Sequence, residues 1–179
     1  MSVDDSVQLI PSKPEYFTLW IRWRGEPNTR RYNPIKDESE AGLRERFLKA
    51  GISLADLKSA EEFRFFVSWQ GKIIGNVSLK NISHMMMYGE IGFGLAQDYQ
   101  GKGLGTRVVR QFVEKIFLET GLRRLIAYVA EDNISSCHVL EKIGFQREGL
   151  CRQHYIINDV PTNEILYGLL RSDLEEQGG

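Results

Sequence analysis

Apolar and polar positions alternate along this chain in blocks of two different periods, and each change of period marks a new element. Val7 to Pro11 reads as a short strand. Ser12 and Glu15 stand three apart with Pro14 between them. That spacing predicts a capping box and a helix carrying Tyr16, Leu19, Trp20 and Trp23. Asp37 and Glu40 repeat it before AGLRERFLKAG, a second predicted helix ending at Gly51, and Ser53 to Ala60 adds a short helical turn. FRFFVSW and KIIGNVSLKN, joined by Gln-Gly, predict a β-hairpin over Phe63 to Asn81, and GEIGFGLA is a further strand. Leu104, Val108, Val109, Phe112, Val113, Ile116 and Phe117 then form a continuous apolar stripe at helical spacing, stopped by Gly121. RRLIAYVA reads as a strand apolar on both faces, as in the middle of a sheet. DNISSCHVLEKIGF predicts a short helix capped by Asp132 or Asn133 and ended by Gly144. QREGLCRQHYII and TNEILYGLL, flanking the turn NDVP, close the chain as strands. Hairpins and crossovers together predict an α/β (α+β) fold with a mixed sheet.

Composition narrows the class of function. The length, 179 residues, suits one domain over 1–179, with a core over 7–173 and a polar tail over 174–179. The net charge of −1 lacks the basic excess expected of a nucleic-acid binder, so none is expected as a partner. No apolar run is long enough to cross a membrane, and the acidic start is unlike a secretory signal. Cys137 and Cys151 make neither a disulfide framework nor a zinc pattern, so free thiols in the cytoplasm are expected. His84, His138 and His154 are scattered, and no metal is expected.

The stretch YQGKGLGT, just before the long helix, needs a physical reason, because closely spaced glycines cost conformational entropy. It is either a tight connection or a cradle for a phosphate. In a cradle, successive backbone N–H groups and the positive end of the helix face one anion. No P-loop string occurs, and a dinucleotide fingerprint starting at Gly101 fails because its third glycine is Thr106. That failure argues against a nicotinamide-dependent oxidoreductase. In EIGFGLA, Ile91, Phe93 and Leu95 share one face and Glu90, Gly92, Gly94 and Ala96 the other. Glycines inside a strand mark a close approach, either by a ligand arm or by a tightly packed helix.

Gln100, Gly103 and Gly105 fit Gln-x-x-Gly-x-Gly, and here the chain resembles the GNAT superfamily of N-acetyltransferases, whose acyl-CoA signature lies between a strand and a long helix. EDNISSCHVLEKIGFQREG independently resembles a second segment of that superfamily, one strand downstream. WIRWRGEPNTRRYNP and the final hairpin resemble the branch holding the ribosomal-protein N-terminal acetyltransferases and the spermidine acetyltransferases. The resemblance implies a mixed, twisted sheet of about seven strands, with two central parallel strands splayed to admit CoA. It implies acetyl-CoA as co-substrate, no metal, and direct transfer to an amine without an acyl-enzyme.

Carried over by motif position, Gln100, Gly101, Lys102, Gly103, Leu104, Gly105 and Thr106 border the pyrophosphate and Asn133 meets the pantetheine amide. Lys102, Arg107 and Arg110 are candidates to neutralise phosphates, though charges on an open helix face are commonly just solvated. Ser136 is expected near the thioester sulfur. Many members place a tyrosine seven residues after the motif asparagine as the acid; here that position is Leu140, which leaves the acid open and resembles the branch in which a serine takes that role. Glu90 is the expected base from its strand face, unless it only pairs with a neighbouring strand's cation; Glu131 and Glu164 stand behind it. The expected acceptor is a protein N-terminal amine, then a polyamine or aminoglycoside-like amine. A CoA-binding module without turnover is the alternative of a different class. A monomer or homodimer is expected.

Overall fold

The computed structural model describes residues 6–34 and 38–177. Seven strands form one sheet: β1 (Val7–Pro11), β2 (Phe63–Trp69), β3 (Lys72–Ser83), β4 (Tyr88–Leu95), β5 (Arg124–Ala130), β6 (Gln146–Ile157) and β7 (Val160–Leu170). Their order is β1-β2-β3-β4-β5-β7-β6. Only β4 and β5 run parallel, and a crossover helix, α4 (Leu104–Glu119), joins them. The other helices are α1 (Phe17–Gly25), α2 (Pro27–Tyr32), α3 (Glu40–Lys49), α5 (Ile134–Ile143) and α6 (Arg171–Gln177).

Strand alternation gives the sheet two unlike faces. Phe63, Phe65, Val77, Leu79, Ile91, Leu125, Ile165 and Leu169 lie on one, buried against all seven stripe residues of α4 and against Cys137, Leu140 and Ile143 of α5. The opposite face carries Phe66, which packs with Phe17, Trp20, Trp23 and Phe47 of α1 and α3. The same face carries Arg64, Ser78, Lys80, Glu90, Tyr128 and Glu164. So many polar groups on the inner side of a sheet mark a wall of a site rather than a second core.

The strand assignments hold, while several local expectations are corrected. The residues after Ser12 form a 3-10 turn over Pro14–Tyr16 with Lys13 at its N-cap and no side-chain cap, so the first capping box does not form. Ser39 caps α3 by accepting from the Gly42 N–H at 3.2 Å; Asp37, the residue expected there, lies outside the described residues. Residues 53–60 are turns, held by Asp56 and Ser59, not helix. Helix α4 does stop just before Gly121, as expected, with Thr120 as its C-cap and the Thr120 hydroxyl bonded to the Ile116 carbonyl at 2.7 Å. Strand β5 is buried along one face, Leu125, Ala127 and Val129, while Arg124, Ile126 and Tyr128 on the other are only half-buried, because that face opens toward the site. The last turn is Asn158-Asp159 alone, both at positive φ, and Val160 and Pro161 already pair in β7. Residues 174–177, expected as polar tail, continue α6, with Leu174 against the core. Asn133 rather than Asp132 caps α5, and Gly144 ends it at φ 109°.

Arg171 clamps the far end of α4. Its guanidinium donates to the carbonyls of Phe117, Thr120 and Leu122, groups a helix end would otherwise leave unpaired. Arg171→Ala should therefore cost about 2 kcal/mol or more, read as a lower urea midpoint at unchanged m-value.

Candidate active site

Strands β4 and β5 pair over only three positions, Tyr88 to Glu90 against Arg124 to Ile126. Beyond Glu90, β4 stays with β3 as far as Leu95, and β5 stays with β7 as far as Ala130. The two parallel strands thus form a fork. In a strand that has lost one neighbour, every second N–H and C=O on that side is unpaired. A cavity of about 1040 Å³ opens there, lined by both prongs of the fork and by the polar face of the sheet.

The glycine loop enters this cavity. Gly103 is the N-cap of α4, at φ 74° and ψ −2°, and a Cβ on it would meet nothing within 4 Å. The left-handed backbone therefore favours glycine, and the space beside it is open. No side chain caps α4 and no acidic residue stands in its first turn. The N–H groups of Leu104, Gly105 and Thr106 consequently lack helical partners. Gly105 has another reason to be small: a Cβ there would lie 3.3 Å from Val139 of α5.

Gln100, Gly101, Gly103, Gly105, Thr106, Asn133 and Ser136 all line the cavity. Gln100 braces the loop, donating to the Leu95 carbonyl at 2.8 Å and accepting from Asn28 at 3.2 Å. Asn133 accepts from the Ser136 N–H at 3.3 Å. Two members of the expected set lie outside the wall. Leu104 points its side chain into the core, 2% exposed, and the Lys102 ammonium lies 5.4 Å from the Tyr99 ring centroid. Arg110, a candidate phosphate partner, donates instead to the Lys142 carbonyl at 3.0 Å.

Glu90 sits where the fork begins, 5% exposed. One of its oxygens is 3.2 Å from the Lys80 ammonium, and the other accepts from Asn81 at 2.7 Å. Glu90 thus faces the cavity and is also ion-paired across the strands, the contact that its alternative reading called for. Glu164, on the other side of β5, also lines the cavity and is 2% exposed. Burial pushes its carboxyl above the usual carboxylate range, against a 2.7 Å contact with His154 Nδ1. Glu131 is drawn away, accepting from Asn163 at 3.1 Å. Tyr155 and Tyr128 complete the wall; burial pushes the Tyr155 phenol up to about 12 and the Tyr128 phenol in the same direction. Leu140 is wholly buried in the core.

Both the sequence and the fold of this chain match known proteins. The family model described as the acetyltransferase (GNAT) domain matches residues 7–146. The chain belongs to the GNAT acetyltransferase family. A probable N-acetyltransferase of Bacillus subtilis, YjcK, is 36% identical over 123 residues, which cover 67% of this chain and 68% of that protein. The first curated relatives are matched over 58% to 68% of their own lengths. Among solved structures, the ribosomal-protein-S5-alanine acetyltransferase of Vibrio fischeri is 26% identical, with a TM-score of 0.80 and 97% of each chain covered. The spermidine N-acetyltransferase of Vibrio cholerae, in complex with CoA and spermine, is 23% identical, with a TM-score of 0.83 and 94% and 98% covered.

In this GNAT chain, sequence reasoning missed the wall opposite the glycine loop. Tyr128 was visible as a polar-tipped residue within an apolar strand. Tyr155 was not, because β6 shifts register between Cys151 and Tyr155, which breaks the alternation that would show its side. Trp20 and Trp23 pack as core residues and also border the cavity.

Proposed function

We propose that this protein transfers an acetyl group from acetyl-CoA directly to the amino terminus of a protein or peptide. One conjunction carries the donor: the uncapped N-terminus of α4 and the β4–β5 fork open into a single cavity. The N–H groups of Leu104, Gly105 and Thr106 would hold phosphate oxygens, and the open space at Gly101 and Gly103 admits them. Asn133, bordering the fork, would meet an amide of the pantetheine arm.

The thioester supplies an acyl carbonyl that a neutral amine attacks. Free alkyl amines are mostly protonated near neutral pH, so the chain must accept a proton. Glu90 takes it, directly or through one water. Backbone N–H groups of β4 beyond Glu90, which β5 no longer reaches, donate to the oxygen that gains charge. Once the C–N bond has formed, the nitrogen sheds its second proton; as the C–S bond breaks, Ser136 donates a hydrogen bond to the sulfur, which leaves as thiolate and takes up that proton. Tyr155, held protonated by burial, is a second O–H donor on the same wall. For the acceptor, Arg24, Arg46, Arg64 and Lys80 line the cavity beyond the fork. Glu62 and Glu90 offset part of that charge, and the positive charge that remains favours a single terminal amine over a polycation.

Cys137 is 5% exposed in the core, so Cys137→Ala should stay active, and no acetyl group should appear on that thiol during turnover. Ser136→Ala should lower turnover by about tenfold while changing CoA affinity little, the pattern of a donor used in the transition state. Steady-state kinetics and calorimetric titration read the two effects; an equal loss in both would make Ser136 a binding residue. Thiol release from acetyl-CoA, screened against amine-terminal peptides, spermidine and an aminoglycoside, tests the acceptor. Release with peptides is expected, and release with spermidine alone would overturn the N-terminal reading.

A further inference from the structure

Beyond the fork, three guanidiniums gather on one indole. Arg24 of α1 and Arg64 of β2 each lie 4.8 Å from the Trp20 ring centroid, and Arg46 of α3 lies 5.8 Å from it. Stacking on a ring leaves the in-plane N–H donors of a guanidinium directed outward. Glu62 and Glu38 compensate two of these charges: Glu62 accepts from Arg64, and Glu38 is 3.3 Å from Arg46. Arg24 has no ion pair or hydrogen bond among the described residues, so three guanidiniums face two carboxylates among those residues.

Two donors in the same wall are unused. Arg64 is 7% exposed; Nη1 reaches Asn76 at 2.8 Å and Nη2 reaches Glu62, but Nε has no acceptor among the described residues. The buried indole N–H of Trp23 also lacks one. Both residues line the cavity. Buried donors without acceptors are costly and uncommon, and a small side-chain shift toward the cavity would let a ligand bring the missing acceptor.

Register fixes where that ligand group would lie. Arg64 pairs with Ser78, and Ser78 with Gly92, in one cross-strand row. Arg64 therefore stands two strand spacings, about 10 Å, from the prong of the fork where transfer occurs. An amino-terminal residue at the fork would bring the side chains of the second and third residues of an extended peptide into this range, at about 3.3 Å per residue.

We propose that the Arg24–Arg46–Arg64 cluster, with the Trp23 indole N–H, is a subsite for a carboxylate carried by the acceptor, and that the acceptor is a peptide with Asp or Glu at its second or third position. This rests on the N-terminal reading above and specifies its substrate. The experiment uses the full chain with saturating acetyl-CoA and three peptides alike except at positions two and three, which are Glu-Glu, Ala-Ala or Lys-Lys. Spermidine serves as a fourth acceptor. The acidic peptide should exceed the alanine peptide in kcat/KM by about tenfold or more, with the lysine peptide lowest. Arg24→Gln, at a half-buried position outside the core, should bring the acidic-to-alanine ratio close to one. Calorimetric titration of the CoA-loaded protein with the same peptides reads the preference without turnover. Equal use of all three peptides overturns the subsite and leaves the N-terminal reading standing. Spermidine accepted with every peptide refused overturns the N-terminal reading and the subsite with it.

Discussion

Gly103→Val should weaken CoA binding by about a hundredfold or more while the protein stays folded. The two parts of that expectation have separate causes. Gly103 holds φ 74°, where a residue with a Cβ pays about 2 kcal/mol, well inside the stability of an ordinary domain. The Cβ itself meets nothing in the free protein, so packing adds no further cost. A bound phosphate would meet it. Displacing that group from two charge-assisted N–H contacts is worth about 3 kcal/mol, or about a hundredfold in affinity. Calorimetric titration with CoA reads the affinity and a thermal melt the fold. Unchanged affinity in a folded Gly103→Val variant would end the cradle interpretation. Gly105→Val is the poorer probe, because its side chain would strike Val139 of α5 whether or not CoA is present.

Glu90→Gln should keep CoA affinity and lose turnover by about a hundredfold. The loss should shrink as pH rises between about 6 and 9, because more of the amine is then neutral without help. The ion pair with Lys80 offers a competing explanation, in which Glu90 merely holds the sheet together at the fork. Lys80→Met separates the two. If Glu90 serves only as an ion-pair partner, losing either member should have the same effect. If it is the base, Lys80→Met retains most of the turnover, since a carboxylate without its cation holds a proton more readily. Rates of Glu90→Gln equal to wild type across that pH range would pass the proton to Glu164 and His154.

What was legible in the sequence follows from where the information is local. The stripe of α4 was readable because each of its seven residues repeats one period and all are buried. The polar face of β4 was readable because Glu90, Gly92 and Gly94 alternate with Ile91, Phe93 and Leu95. Helix α2 was missed because PNTRRY buries none of its residues and shows no stripe; only Pro27 at its first turn announced it. The arginine subsite could not be read at all. Arg24, Arg46 and Arg64 come from α1, α3 and β2, and nothing local links them until Trp20 brings them together. The cap of the first helix misled because Ser12 and Glu15 had the spacing of a capping box but a 3-10 turn intervened.

If one cavity holds the acyl donor and passes its acetyl group straight to an amino terminus, the label of an isotope-labelled acetyl group must end on that amine. The most direct measurement is tandem mass spectrometry after incubating the protein with isotope-labelled acetyl-CoA and an amine-terminal peptide bearing an internal lysine. The expected result is label on the α-amine, in step with free CoA, and none on Cys137 or the lysine. Label retained on a protein thiol, or CoA bound with no labelled amine, would contradict it.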